Sequence, residues 1–232
     1  MPLRELLVLV HDGTIQIPEF QREFHLDDGW VRSLLASLSL NYSVGAIMLL
    51  ESGNADVRFA ASRFAGTPET TSAPGWFVVD GQQRLSALYQ AFAADRSTSP
   101  GDRRQYYINI LTALDPKVDR DDAILDDVPG TWLKAPIEQR FQLEWERCLF
   151  PLRLIFAPDD VQRSWWSGFT ESAPVSAAPR GTLMHRFVSA VAAPMANYVV
   201  PAIILPKATA RWTVRVHGGL SGPRKSDQFR AR

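Results

Sequence analysis

Asp80-Gly81-Gln82-Gln83-Arg84 follows the apolar run Trp76-Phe77-Val78-Val79 and leads into Leu85, Leu88, Tyr89 and Phe92, spaced i, i+3, i+4 and i+7. The short apolar run reads as a strand, and the spacing after it reads as a helix with one apolar face. A strand, a glycine turn and a helix start therefore meet within these few residues. The first turn of a helix leaves backbone N–H groups unpaired at the positive end of its dipole, an arrangement that attracts phosphate. The amides of Gln82 and Gln83 and the guanidinium of Arg84 add donors for phosphate oxygens or a nucleobase. Asp80 would repel phosphate. It is read either as a ligand, direct or through water, of a magnesium ion carried on that phosphate, or as the helix N-cap. The turn is thus either a nucleotide polyphosphate site or a capped helix start.

A second informative run is Ile17-Pro18-Glu19-Phe20-Gln21-Arg22-Glu23-Phe24. Pro18 fixes its own φ and pushes Ile17 into an extended conformation, so Gln21 and Arg22 leave a short strand or loop. A helix is expected to begin near Asp27 or Asp28, either of which suits an N-cap. Val31, Leu34, Leu35 and Leu38 form its core stripe, and Trp30 beside it is read as buried rather than as a base-stacking platform. Arg22 is either a surface ion-pair partner of Glu19 or Glu23, or a second phosphate-binding arginine that offsets triphosphate charge.

The first motif, then Trp30, then Ser43-Val44-Gly45-Ala46-Ile47-Met48-Leu49, then the Asp-Gly-Gln-Gln-Arg-Leu run, appear in that order. This succession resembles the N-terminal domain of the GmrSD-type restriction endonucleases, a ParB-like bacterial family. The family pattern is Ile-Pro-x-Phe-Gln-Arg-x-Tyr/Phe, a helix, a Gly-x-Ile-x-Leu strand, and a strand ending in Asp-Gly-Gln-Gln-Arg-Leu. The resemblance implies an α/β (α+β) fold, a ParB/sulfiredoxin-like mixed sheet with flanking helices. It implies binding and hydrolysis of a nucleoside triphosphate with Mg²⁺, in a modification-dependent restriction or phage-defence protein. In relatives a C-terminal domain, often an HNH-type nuclease, cuts the DNA. On the resemblance, Asp80 and Arg84 take catalytic roles and Asp80 is the metal ligand. Gln21, Arg22, Gly81, Gln82, Gln83 and Arg84 bind nucleotide, Phe20 lies beside them, and Gly45 falls on the second motif. The alternatives are a non-catalytic module whose groove grips a DNA backbone or modified base, and an inactive remnant of a longer restriction protein.

With 232 residues, the chain is one large or two small domains. A hydrophobic share of 46%, with seven Trp and twelve Phe, suits a packed core and argues against wholesale disorder. No run approaches the roughly 18 apolar residues of a membrane span, and Met1-Pro2-Leu3-Arg4-Glu5 does not open a secretory signal. A cytoplasmic protein without a membrane partner is the expectation. The single Cys148 excludes an internal disulfide and a cysteine zinc site, and reads as a small buried hydrophobe. His11, His25, His185 and His217 show no i, i+4 pairing. Asp119-Arg120-Asp121-Asp122, with Asp126-Asp127 beyond, lacks the glycine and terminal glutamate of an EF-hand and reads as a solvated acidic loop. No Walker-type glycine loop and no nuclease signature are found, so cutting is assigned to a separate nuclease subunit.

Elsewhere residues 53–75 read as a turn-rich loop, and Tyr106–Leu111, Phe150–Phe156 and Tyr198–Pro206 as strands. A helix beyond Asp159 carries Val161, Trp165, Trp166 and Phe169 on one face, and the adjacent tryptophans are read as core rather than base-stacking. Gly181–Ala193 reads as a further helix. Residues 207–232 hold seven Lys or Arg against Asp227, a net of +6, which leaves 18 bases against 24 acids, or −6, in residues 1–206. The body thus shows no broad DNA-binding field. Residues 1–206 are expected to be a GmrSD-type domain incomplete at its C-terminal end. The basic tail 207–232 is expected to be disordered and foreign to the family, from a frame truncated or shifted after about residue 208.

Overall fold

Apolar residues at helical spacing and apolar residues at alternating spacing meet across one sheet. The computed structural model describes residues 1–19, 27–53, 59–69, 71–93, 105–126, 136–172 and 179–208. Along the chain come α1 (Leu3–His11), β1 (Ile15–Pro18), α2 (Asp28–Ser39), β2 (Ile47–Glu51), β3 (Ala61–Ser62), β4 (Trp76–Asp80) and α3 (Gln82–Phe92). Then follow β5 (Tyr107–Asn109), α4 (Ile110–Ala113), β6 (Ile124–Leu125), α5 (Ile137–Glu146) and β7 (Leu149–Pro151). The last elements are α6 (Asp159–Ser172), α7 (Arg180–Phe187), α8 (Ala193–Ala196) and β8 (Ala202–Leu205). Five strands form a mixed sheet in the order β3-β1-β4-β2-β8, and three form a small antiparallel sheet in the order β6-β5-β7. The α+β class read from the sequence is the class the structure has.

Alternation along the strands separates the two faces of the main sheet. Ile15, Ile17, Ile47, Leu49 and Val78 point into the large core with α1, α2 and α3, whereas Leu50, Phe77 and Val79 pack on the other side with Met48, Phe59 and Leu205. The helices are held by their stripes: Leu3, Leu6, Leu7 and Val10 in α1, Val31, Leu34, Leu35 and Leu38 in α2, and Leu85, Leu88, Tyr89 and Phe92 in α3 are all buried. Asp27 caps α2, its carboxylate accepting the Trp30 N–H at 2.9 Å.

Several readings need correction. Trp30 is 38% exposed: it stands in the first turn of α2, outside the Val31 stripe. Phe150–Phe156 is not one strand. Its β-ladder ends at Pro151, and Leu152–Phe156 winds into a 3-10 helix that buries Leu152, Leu154 and Ile155. A short apolar run does not distinguish a buried strand from a buried turn of helix. Tyr106–Leu111 is a strand only to Asn109, whose side chain caps α4 by accepting the Thr112 N–H at 3.0 Å. The helix at 181–193 is interrupted by a π-turn at Val188–Ala192. The loop 53–75 contains β3, which pairs antiparallel with β1. Trp165 and Trp166 are core as expected, packed with Phe150, Phe169 and Phe187. The tail from residue 209 lies outside the described residues.

Among the described residues one carboxyl side chain, Glu144, is fully inside. The Glu144 carboxylate on α5 accepts Arg153 Nη2 at 2.9 Å and Trp165 Nε1 at 2.8 Å, and the Tyr107 hydroxyl also bonds to it. Burial lifts the Glu144 carboxyl above its ordinary range, against the pull of the Arg153 cation and these donors. Burial, and then the neighbouring carboxylate, push the Tyr107 hydroxyl above the ordinary tyrosine value. Above about pH 10 an unfolded tyrosine ionises while folded Tyr107 stays neutral, so the unfolded state loses the proton first. Stability is therefore present below that pH and declines above it, by about 1.4 kcal/mol per pH unit for this group. Burial of the Cys148 thiol acts in the same direction from about pH 8.5. Urea midpoints measured between pH 8 and 11 should fall with pH, and Tyr107→Phe should flatten the limb above pH 10.

Candidate functional site

β1 and β4 run parallel, with Ile15 opposite Trp76 and Gln16 opposite Phe77, so their C-terminal ends emerge at one edge of the sheet. β2 runs antiparallel to β4 and β8 parallel to β2, so both begin at that edge. In α/β sheets the crevice beyond the carboxyl ends of strands is where ligands collect. The ladder slips there. Leu49 pairs with Val78 but Met48 pairs with Asp80, which makes Val79 an extra residue in β4. Such a bulge re-aims the side chain that follows it, and Asp80 is exposed at the edge.

Gly81 makes the turn. Its φ of 83° is left-handed, and a Cβ there would stand 3.1 Å from Ile47 Cγ1 and 3.3 Å from both the Ala46 carbonyl and Arg84 Nη2. Gly81, not Asp80, is the N-cap residue of α3, and having no side chain it makes no capping bond of its own. The first intrahelical bond runs from Leu85 N–H to the Gly81 carbonyl at 3.0 Å. The N–H groups of Gln82, Gln83 and Arg84 thus have no intrahelical acceptor. Gln82 is half-buried and Gln83 is exposed.

Arg84 joins the second and third motifs. Its Nη1 donates to the Val44 carbonyl at 3.1 Å, and its Nη2 lies 3.6 Å from Asp80 Oδ2. The Asp80 side chain is 57% exposed, which makes this a weak pair that leaves the carboxylate available. Gly45 has a φ of 86°, and a Cβ built on it would fall 1.9 Å from Arg84 Nη1. The guanidinium is therefore seated against the bare Cα of Gly45. The structure brings together Asp80, Gly81, Gln82, Gln83, Arg84 and Gly45. Phe20, Gln21 and Arg22 lie outside the described residues, and Glu19, just before them, follows the end of β1 at the same edge with its N–H bonded to the Ala60 carbonyl.

One residue here escaped sequence reading. The Tyr198 hydroxyl accepts the Val44 N–H at 3.1 Å and donates to the Tyr42 carbonyl at 2.8 Å. As for a metal, the described residues hold no group of three or more His, Cys, Asp or Glu able to cage one. A single open carboxylate, Asp80, fits a magnesium ion that arrives on phosphates, since such ions take one or two protein carboxylates and keep their waters.

The family model of the GmrSD restriction endonuclease N-terminal domain matches residues 3–149, from α1 to the start of β7. The chain belongs to this family. Among curated proteins it is similar to an uncharacterized protein of Methanocaldococcus jannaschii, 24% identical over 217 residues. That alignment covers 88% of this chain but 35% of the relative, so the chain spans about a third of its length. All the strands of the main sheet but β8 fall within the matched GmrSD region, as do Gly45 and the Asp80–Arg84 turn. No helix of the described residues is long and apolar enough to cross a membrane.

Proposed function

We propose that the edge formed by Gly45, Asp80 and the first turn of α3 binds a nucleoside triphosphate with Mg²⁺ and hydrolyses it. The host would be a modification-dependent restriction or phage-defence protein of the cytoplasm, in which a separate nuclease subunit cuts DNA. The observation that carries this reading is the seating of Arg84. A guanidinium is docked on a left-handed glycine beside an open carboxylate and a helix start whose N-cap residue is itself a glycine.

Each group has a role in that reading. The N–H groups of Gln82, Gln83 and Arg84 face the phosphates from the positive end of α3. The two carboxamides bond phosphate oxygens or the base. Arg84 spends one donor on Val44 and makes a weak pair with Asp80, which leaves further N–H groups to stabilise charge that develops on the transferred phosphoryl group. Asp80 would hold the magnesium ion, which supplies charge neutralisation across the phosphates. Arg84 beside Asp80 limits like-charge repulsion when phosphate enters. Phosphoryl transfer needs little more from a protein than positioning and such electrostatics.

Calorimetric titration of the full chain with each triphosphate plus Mg²⁺, and with plain and modified DNA duplexes, tests this. Nucleotide binding is expected, and Arg84→Ala should weaken it about 10- to 100-fold, the worth of one charge-assisted bond. Duplex binding with no nucleotide affinity would overturn the reading in favour of a DNA-sensing module.

A further inference from the structure

We infer that Tyr198 is a positioning residue for the Arg84 guanidinium, acting through Val44, so that the site is completed from outside residues 3–149. Two sets of bonds support this. The Tyr198 backbone is fixed against the start of the chain: its carbonyl accepts Leu3 N–H at 2.9 Å, Pro2 bridges Val199, and Val200 N–H bonds the Met1 carbonyl at 2.9 Å. Its side chain is buried, and its hydroxyl holds both the Tyr42 carbonyl and the Val44 N–H.

Val44 is therefore held on both sides. The peptide before it is fixed by Tyr198, and the peptide after it presents the carbonyl that Arg84 Nη1 bonds at 3.1 Å. Only the Val44 torsions separate the two peptides. Gly45 follows at once in its left-handed conformation, and its bare Cα leaves the room that the guanidinium occupies. Without the Tyr198 hydroxyl the segment 42–44 loses two of its anchors, and the Val44 carbonyl loses its fixed direction. Arg84 then keeps its charge but not its place, and a planar fork depends on place.

Tyr198→Phe in the full chain isolates the hydroxyl, because the ring that fills the core is retained. Nitrogen-15 NMR of the arginine side chains gives the direct readout and needs no ligand. In the wild type the Arg84 Nη groups should rotate slowly, and in Tyr198→Phe they should average. The consequence for binding rests on the nucleotide reading above. Affinity for Mg²⁺–triphosphate should fall about three- to tenfold, the effect of one neutral hydrogen bond. The same substitution in an Arg84→Lys background should leave affinity where Arg84→Lys alone puts it. An unchanged Arg84 signal in Tyr198→Phe overturns the inference, and so does an equal affinity loss in both backgrounds. If the wild type binds no nucleotide, the proposed function fails and the Arg84 signal alone still decides the role of Tyr198.

Discussion

Glu144→Ala is expected to remove about 3–5 kcal/mol of stability, the usual consequence of deleting one member of a buried ion pair. Its carboxylate has no exposed surface, and three donors, from Arg153, Trp165 and Tyr107, converge on it. Alanine would leave a half-buried guanidinium, which cannot give up its proton, beside an indole N–H and a hydroxyl with no acceptor. Denaturant unfolding at neutral pH would show the loss as a lower midpoint at constant slope. Arg153→Met should cost less, because a carboxyl can take up a proton where arginine cannot release one. Removing the cation lifts the Glu144 pKa further above its unfolded value. Stability of Arg153→Met should therefore be greatest in acid and decline as pH rises from about 4.3 through the raised folded value. A Glu144→Ala variant as stable as the wild type would show that this network does not hold α5 and α6 to the small sheet.

The second large effect is expected at Gly45. In Gly45→Ala the new Cβ claims the space of Arg84 Nη1, 1.9 Å away, and the flexible guanidinium gives way before the backbone does. The left-handed backbone adds roughly 1–2 kcal/mol of strain for an L side chain. Two losses should follow together: modest destabilisation, and a fall in nucleotide affinity as large as that of Arg84→Ala, about 10- to 100-fold. Gly53→Ala is the control. Gly53 has a similar φ of 88° but nothing within 4 Å of its virtual Cβ, so it should show the strain without the affinity loss. Combining Gly45→Ala with Arg84→Ala should reduce affinity no further than either alone. Independent, additive losses would mean that Gly45 does not act through the arginine.

What the sequence revealed follows its local periods. The stripes of α2 and α3 repeat at i, i+3, i+4 and i+7, and each residue of them is buried. Leu3, Leu6, Leu7 and Val10 carry the same signal for α1, which was there to be read. The Asp80–Arg84 turn was legible because a strand, a glycine and a helix start adjoin in sequence. Contacts between distant segments were not. Arg84 meets Val44 across 40 positions and Tyr198 meets Val44 across 154, and no local pattern announces either. The extra residue in β4 is equally silent, since a bulge depends on the register of the partner strand. Glu144 gave no sign of burial because α5 is largely polar, and its charge is stabilised by donors from other elements.

The central claim is that triphosphate lands on the first turn of α3 beside Gly45. Amide hydrogen exchange of the full chain, with and without Mg²⁺–triphosphate, tests it most directly. Slower exchange is predicted for the amides of Gln82, Gln83 and Arg84 and for the 43–46 segment, and at a ligand concentration near the wild-type Kd the protection should be largely lost in Arg84→Ala. Nucleotide binding that leaves those amides exchanging as before, or that protects another edge of the sheet, would contradict the account.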